Sequence, residues 1–307
     1  MHSGLKALLI SLMLSFTASS LIAQHSFSFN NGAIMSKFQD TLIRLSKETY
    51  EAQEPEVKLA KNAVFIKTLV NSLKTHTSFY YPFDSLKTIS IIKSPDNSFK
   101  VFSWSVQLNN GVYRFFGAIQ MATKDGSLKL YPLIDGTDNI GDVNTITSNK
   151  NWFGARYYEI VPVIISGKQP YYVMLGWKGN SDKTTKKVIE VLSFEKNEPV
   201  LGKSIFEGVK AGNSKNRIVF EYNKLNSMTL TMDKSINMIV FDHLAPFSED
   251  MTGNFEYYAS DLSFDGYKII NGRLKLVENV ELKNDPNYMD DFYTDPTDKT
   301  TKPIKKL

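Results

Sequence analysis

From Phe79 onward the chain alternates apolar and polar residues with a period of two. Phe102, Trp104 and Val106 fall on one side while Ser103 and Ser105 fall on the other. Tyr113, Phe115 and Ile119 alternate with Arg114 and Ala118 in the same way, as do Ile218, Phe220 and Tyr222 with Arg217 and Glu221. Met228, Leu230 and Met232 against Thr229 and Thr231, and Leu274 and Leu276 against Arg273 and Lys275, repeat the pattern. Half-buried antiparallel strands produce this alternation. Turn-forming runs part the strands: Ser94–Asn97, Asn109-Asn110-Gly111, Lys124-Asp125-Gly126, Ile165–Lys168 and Asn271-Gly272. No helix-length segment lies between them, which argues against parallel βαβ units.

Upstream the period is helical. Ile34, Met35, Phe38, Leu42 and Leu45 form one stripe, and Val57, Ala60, Val64, Leu69 and Leu73 form another. Pro55, within Glu54-Pro55-Glu56, suits a first helical turn. The spacing predicts a helical hairpin over 33–52 and 55–75, with its apolar stripes packed on the β region. The expected fold is mainly β with a small N-terminal helical part: an antiparallel meander, sandwich-like or propeller-like, with the helical hairpin packed on it.

The stretch Tyr171–Pro199 is the centre of this reading. A strand-like run, Tyr171–Leu175, meets Gly176-Trp177 and a polar turn, Lys178–Lys183, before a second run, Lys187–Phe194. A strand-then-turn shape recurs at Val101–Trp104, Val173–Trp177 and Ile239–Asp242, roughly seventy residues apart and so longer than a typical propeller blade. The widest gap, Asp135–Asn151, reads as a surface loop, and Ala245–Asn254 reads as a loop after a strand at Ile236–Asp242. Past Lys283 the chain turns polar, with Pro286, Pro296 and Pro303, and 284–307 is expected to be a disordered tail.

The first residues change the picture of where the protein works. Lys6, the apolar run Ala7–Phe16 and the small-residue exit Thr17–Ala23 match a secretory signal peptide over 1–23. The expected organisation is then a lead with the helical hairpin over 24–77 and a β domain over 78–283. Removing 1–23, whose single charged side chain is Lys6, takes the formal charge from +4 to +3. That mild positive balance lacks the clustered basic field of nucleic-acid binding. The chain has no cysteine, which excludes a disulfide framework, a thiolate nucleophile and a lipidated N-terminal cysteine.

Candidate chemistry is sparse. Asp242-His243 stands where a predicted strand meets a loop, with Asp261 and Asp265 on a nearby hairpin that could orient the imidazole. Asp242, His243 and Asp261 are the candidate catalytic residues, weighed against a histidine that simply bonds a turn. Asp135, Asp138, Asn139, Asp142 and Asn144 make an oxygen-rich loop, but Ile140 and Ile146 stand where an EF-hand needs Gly and Glu, so a solvated turn is preferred. No metal or cofactor is expected. Among the aromatics, Trp177 at an expected turn tip and one ring of each of the pairs Tyr157-Tyr158, Tyr171-Tyr172 and Tyr257-Tyr258 are candidates for an exposed binding surface; Trp177, Tyr172 and Tyr258 are the ligand-binding candidates. Phosphate-loop and Gly-x-Ser-x-Gly spacings are absent.

At Asn151–Tyr158, Tyr171–Asn180, Lys186–Phe194, Ile239–Pro246 and Phe264–Tyr267 the chain resembles a group of exported Bacteroidetes proteins of unknown function, over roughly residues 80–280. The resemblance implies export from a Gram-negative cell. It supplies no activity and no catalytic residues, although Trp177, Asp242 and His243 lie inside the shared pattern. The expectation is a periplasmic or extracellular protein, or one associated with the outer membrane, acting as a non-enzymatic binding or envelope-associated module. Its partner would be a protein or glycan of the cell envelope, and the mature chain would have no transmembrane segment. The alternative is a hydrolase of glycan or peptide with its site near Asp242 and His243. A spanning β-barrel is disfavoured by the irregular strands, the helical start and the Lys-rich end.

Overall fold

The computed structural model describes residues 29–208 and 214–282. The signal-peptide and tail expectations lie outside them. Two helices come first, α1 (Phe29–Glu51) and α2 (Pro55–Leu73). The first begins four residues before the predicted 33. Pro55 occupies the first turn of α2, where its missing N–H costs nothing. Met35, Leu42, Leu45, Phe65, Leu69 and Leu73 are buried against Phe102, Trp104 and Val106, so the hairpin packs on the β region as expected. The buried face of α2 runs through Phe65, however, and Val57, Ala60 and Val64 of the predicted stripe, like Ile34 of α1, are exposed.

The strands form three sheets. Sheet I is the meander β1 (Ser90–Lys93), β2 (Phe99–Gln107), β3 (Tyr113–Met121) and β4 (Lys129–Ile134). Sheet II holds β5 (Thr147–Ser148), β6 (Arg156–Val163), β7 (Tyr171–Gly179), β8 (Thr184–Glu195) and β9 (Glu198–Leu201) in the order β5-β9-β8-β7-β6. The short β10 (Phe206–Glu207) and β11 (Ser214–Lys215) open sheet III, while β12 (Ile218–Asn223) returns to pair with β8. Sheet III then runs through β13 (Leu230–Asp233), β14 (Met238–Pro246), β15 (Tyr258–Ile270) and β16 (Arg273–Val277). Pairing is antiparallel except between β10 and β16, which are parallel over two residues each. No barrel closes.

The expected mainly-β architecture with a helical hairpin is therefore present, and each sheet contains an up-and-down meander of four strands: β1–β4, β6–β9 and β13–β16. The three recurring strand-then-turn segments fall on β2, β7 and β14, the second strand of each meander. Sheet II is the middle layer. Tyr172, Met174, Val188 and Leu192 on one face meet Phe99, Val101 and Phe115 of sheet I. Val173, Leu175, Ile189 and Val191 on the other face meet Ile239, Phe241 and Tyr267 of sheet III. Strands covered on both faces read as continuous apolar runs, which is why Tyr171–Leu175 and Val188–Leu192 are so apolar.

Three loop expectations are corrected. First, β7 does not turn at Gly176-Trp177 but continues to Gly179, leaving a connection of four residues before β8. Its glycines mark close approach rather than a turn: a Cβ at Gly176 would press on the Tyr157 ring, and one at Gly179 on the Tyr113 ring. Second, β14 runs to Pro246, four residues past the predicted end, because its far part pairs with Tyr258–Ser260. Third, Asp135–Asn151 is not a free surface loop. It contains β5, and Arg217 donates to the Val143 and Thr145 carbonyls (2.6 and 3.2 Å) while the Asn216 side chain donates to Asn144 O (2.7 Å).

Arg217 reaches that loop from the core. Its guanidinium and the Glu190 carboxylate form an ion pair with both side chains at 0% exposure. Glu190 also accepts from the Tyr157 hydroxyl, which itself accepts from Trp152 Nε1 at 2.8 Å. Removing one member of such a pair leaves the other charged and desolvated. Arg217→Met is expected to lower unfolding free energy by about 3–5 kcal/mol. Glu190→Leu/Arg217→Met should be less destabilised than Arg217→Met alone. Urea denaturation of the three proteins checks both statements, and a double variant weaker than the single one refutes the second.

Candidate functional site

The sequence-predicted residues separate in space. His243 Nδ1 lies 2.8 Å from Asp265 Oδ2, and the other Asp265 oxygen accepts from the Asn279 amide at 3.0 Å. Asp265 is nearly buried, while the His243 side chain is 47% exposed. The pairing of β14 with β15 places His243 alone opposite Asp261–Ser263, with Asp242 facing Phe264 and Leu244 facing Ser260. This bulge turns the imidazole outward beside Asp261. The bond to Asp265, followed by the charges of Asp265, Asp261 and Glu278, holds His243 above its ordinary 6.5 against a smaller opposing effect of desolvation. Asp261 is held below the usual carboxylate range by the Ser263 hydroxyl and amide. Asp242 does not join them: it is buried and accepts from the Thr229 amide at 3.0 Å. The orienting partner of His243 is thus Asp265, one of the two hairpin aspartates expected for that part, and the candidate Asp242 stands apart from the imidazole.

The three ligand-binding candidates lie in different places. Trp177 is within β7 opposite Arg156 and Lys187, half-buried with its ring 5.5 Å edge-on from Tyr113, and not at a turn tip. Tyr172 is buried between sheets I and II and donates to Asp96 at 2.6 Å. Tyr258 packs on the core between sheets II and III, its hydroxyl accepting from the Gly253 amide at 3.0 Å. Of the pair Tyr157-Tyr158, the alternation puts Tyr157 in the core and leaves Tyr158 38% exposed. The oxygen-rich loop spends its oxygens internally: Asp135 on Phe115 N and Thr137, Asp138 on Arg114, Asp142 on Asn144 N.

Sequence reasoning missed two features. The first is Lys178, 3% exposed between the rings of Phe115 (4.3 Å) and Phe153 (4.7 Å). Its ammonium donates to Thr137 Oγ1 and to the Phe153 and Gly154 carbonyls at 2.8, 2.6 and 3.0 Å. Burial pulls it down to about 7, with Asp135 opposing. In the sequence it sits beside Gly176 and Gly179, which read as a turn, whereas β7 continues through it to Gly179.

The second is a slot of about 710 Å³ where the three sheets meet. The first strand of each meander lines it: Ile91 and Ile92 from β1, Tyr158 and Ile160 from β6, and Met232 from β13, with Ile269 of β15 behind. Side chains stitch these strands together without strand pairing. The Ser90 hydroxyl donates to Tyr157 O. The Tyr158 hydroxyl donates to Leu230 O at 2.9 Å, and Glu159 accepts from Thr231 Oγ1 and Met232 N at 3.1 and 3.2 Å. Lys93 and Lys234 stand at the rim. A mixed lining, apolar along the strands with Lys93, Glu159, Lys234 and Asn237 among it, at a junction of layers, is compatible with a ligand site.

No family model, curated protein or solved structure matches the chain.

Two pH dependences follow. Between pH 7 and 10.5 the unfolded chain carries a proton at Lys178 that the folded chain does not, so stability rises with pH there. In Lys178→Met the slope of unfolding free energy against pH at 8–9 should fall by about 1.4 kcal/mol per pH unit, read by urea denaturation; an unchanged slope refutes the low value. His243 acts in the opposite sense. Its stabilising contribution is complete below pH 6.5 and lost as pH rises through its elevated value. His243→Gln should therefore lower Tm at pH 5.5 and much less at pH 9.

Proposed function

We propose that this is an exported, non-enzymatic binding module of the cell envelope, holding an extended, mainly apolar peptide segment of a partner protein in the slot between β1, β6 and β13. The observation that carries the reading is the lining of that slot by the first strands of all three meanders. A site built on strand backbones is held rigidly, which reduces the ordering cost of binding. Ile160, Met232 and Tyr158 offer apolar surface, and Lys93 and Lys234 favour acidic flanks on the bound segment. The signal-peptide pattern of Lys6 and Ala7–Ala23 supports export. Among the described residues no helix is long and apolar enough to cross a membrane.

One observation favours a second reading, a hydrolase of glycan or peptide. His243 is oriented by a carboxylate and half open to solvent, as a general base would be. The two readings differ in turnover.

An array of extended apolar decapeptides with and without acidic flanks, probed with wild type and with Ile160→Ser/Met232→Ser, tests the first. We expect wild type to bind a subset, and the double variant, if still folded by circular dichroism, to bind at least about tenfold more weakly, as loss of two partly buried apolar contacts implies. Equal binding by both proteins refutes the slot. Turnover on polysaccharide or peptidoglycan panels that disappears in His243→Ala would favour the hydrolase instead.

A further inference from the structure

A second and larger cavity, a groove of about 760 Å³, lies where three turns meet at one end of sheets II and III. The turn between β6 and β7 brings Ile165 and Lys168, the link after β9 brings Lys203, and the turn between β15 and β16 brings Asn271 and Gly272. The turns are fastened to one another. The Tyr171 hydroxyl donates to Gly272 O, and Gly272, at φ +74°, leaves room for the Ile165 side chain that a Cβ would displace. The groove is therefore held open by the fold itself.

Its charge is unbalanced. Lys168, Lys203 and Arg273 line it against Glu195. Arg273 is matched by Glu207. Lys168 and Lys203 form no salt bridge with a described carboxylate, and the Lys203 ammonium sits 5.8 Å over the Tyr171 ring. Tyr171 is 3% exposed, so the groove offers no open aromatic face on which a neutral sugar could stack. What it offers is two cations without a salt-bridge partner against the single carboxylate of Glu195, a net positive balance in a concave wall, where the field on a ligand is stronger than over a flat surface.

We infer that this groove is a binding site for a small anionic ligand carrying carboxylate or phosphate groups, read by Lys168 and Lys203. This site is separate from the slot between the sheets and does not rest on it.

Isothermal titration of the mature full-length chain tests the inference. Trigalacturonate supplies the carboxylate arm, glucose 1-phosphate the phosphate arm, and maltotriose the neutral control. At least one anion is expected to bind and maltotriose not to bind. Affinity should drop as ionic strength rises from about 0.01 to 0.15 M, where the Debye length shortens from about 30 to 8 Å. Lys168→Glu/Lys203→Glu should weaken the anion at least about tenfold, as reversal of two charge-assisted contacts implies. Lys37→Glu/Lys67→Glu on the helical hairpin makes the same charge change and should leave binding unaltered. If neither anion binds, if maltotriose binds as well as the anions, or if both double variants weaken binding alike, the inference is overturned. None of these results touches the peptide reading of the slot.

Discussion

A carboxylate placed at the centre of a packed β layer must be matched within that layer, and this requirement organises the middle of the molecule. Glu190 stands in β8, a strand with partners along both edges, on the face that meets sheet I. Water does not reach it, so Arg217 and Tyr157 supply the hydrogen bonds that solvent would have supplied. Arg217 in turn has donors left over, and these hold the 143–147 segment by its carbonyls. One buried charge thereby ties together β12, a long polar connection and the 152–157 segment.

Much of this architecture was legible in residue order, because alternation and helical spacing are consequences of having one buried face. The strands β2, β3, β12, β13 and β16 and the two helices follow from that rule. The centre is harder to read. Where both faces are covered the alternation disappears, and Gly176 and Gly179 then imitate turn signals although they only make room for Tyr157 and Tyr113. One clue was present: a glutamate in the apolar run Val188–Leu192 implies a buried cation elsewhere, and Arg217, next to Ile218, was available.

The sites were less legible than the fold. His243 and Asp265 are both candidates in the residue order, but which aspartate the imidazole meets depends on a bulge that sets one residue against three, a register that spacing does not encode. The slot draws on β1, β6 and β13, and the groove on three turns separated by long stretches of chain. Such sites exist only after layers stack. The side chains that build them, chiefly isoleucines and lysines, carry no motif.

The pairing of β8 also bears on how the chain is made. Its outer edge is shared: residues 192–195 pair with β9, which follows at once, whereas 184–189 wait for β12 at 218–223. As the polypeptide emerges from N to C terminus, Glu190 is present before its counter-ion at 217. The central sheet is then held with an unfinished edge and an unmatched charge until some thirty more residues have emerged. Exposed edges of that kind recruit other chains. The position of Arg217 in the order of synthesis thus sets when the outer edge of β8 and the charge of Glu190 can both be satisfied.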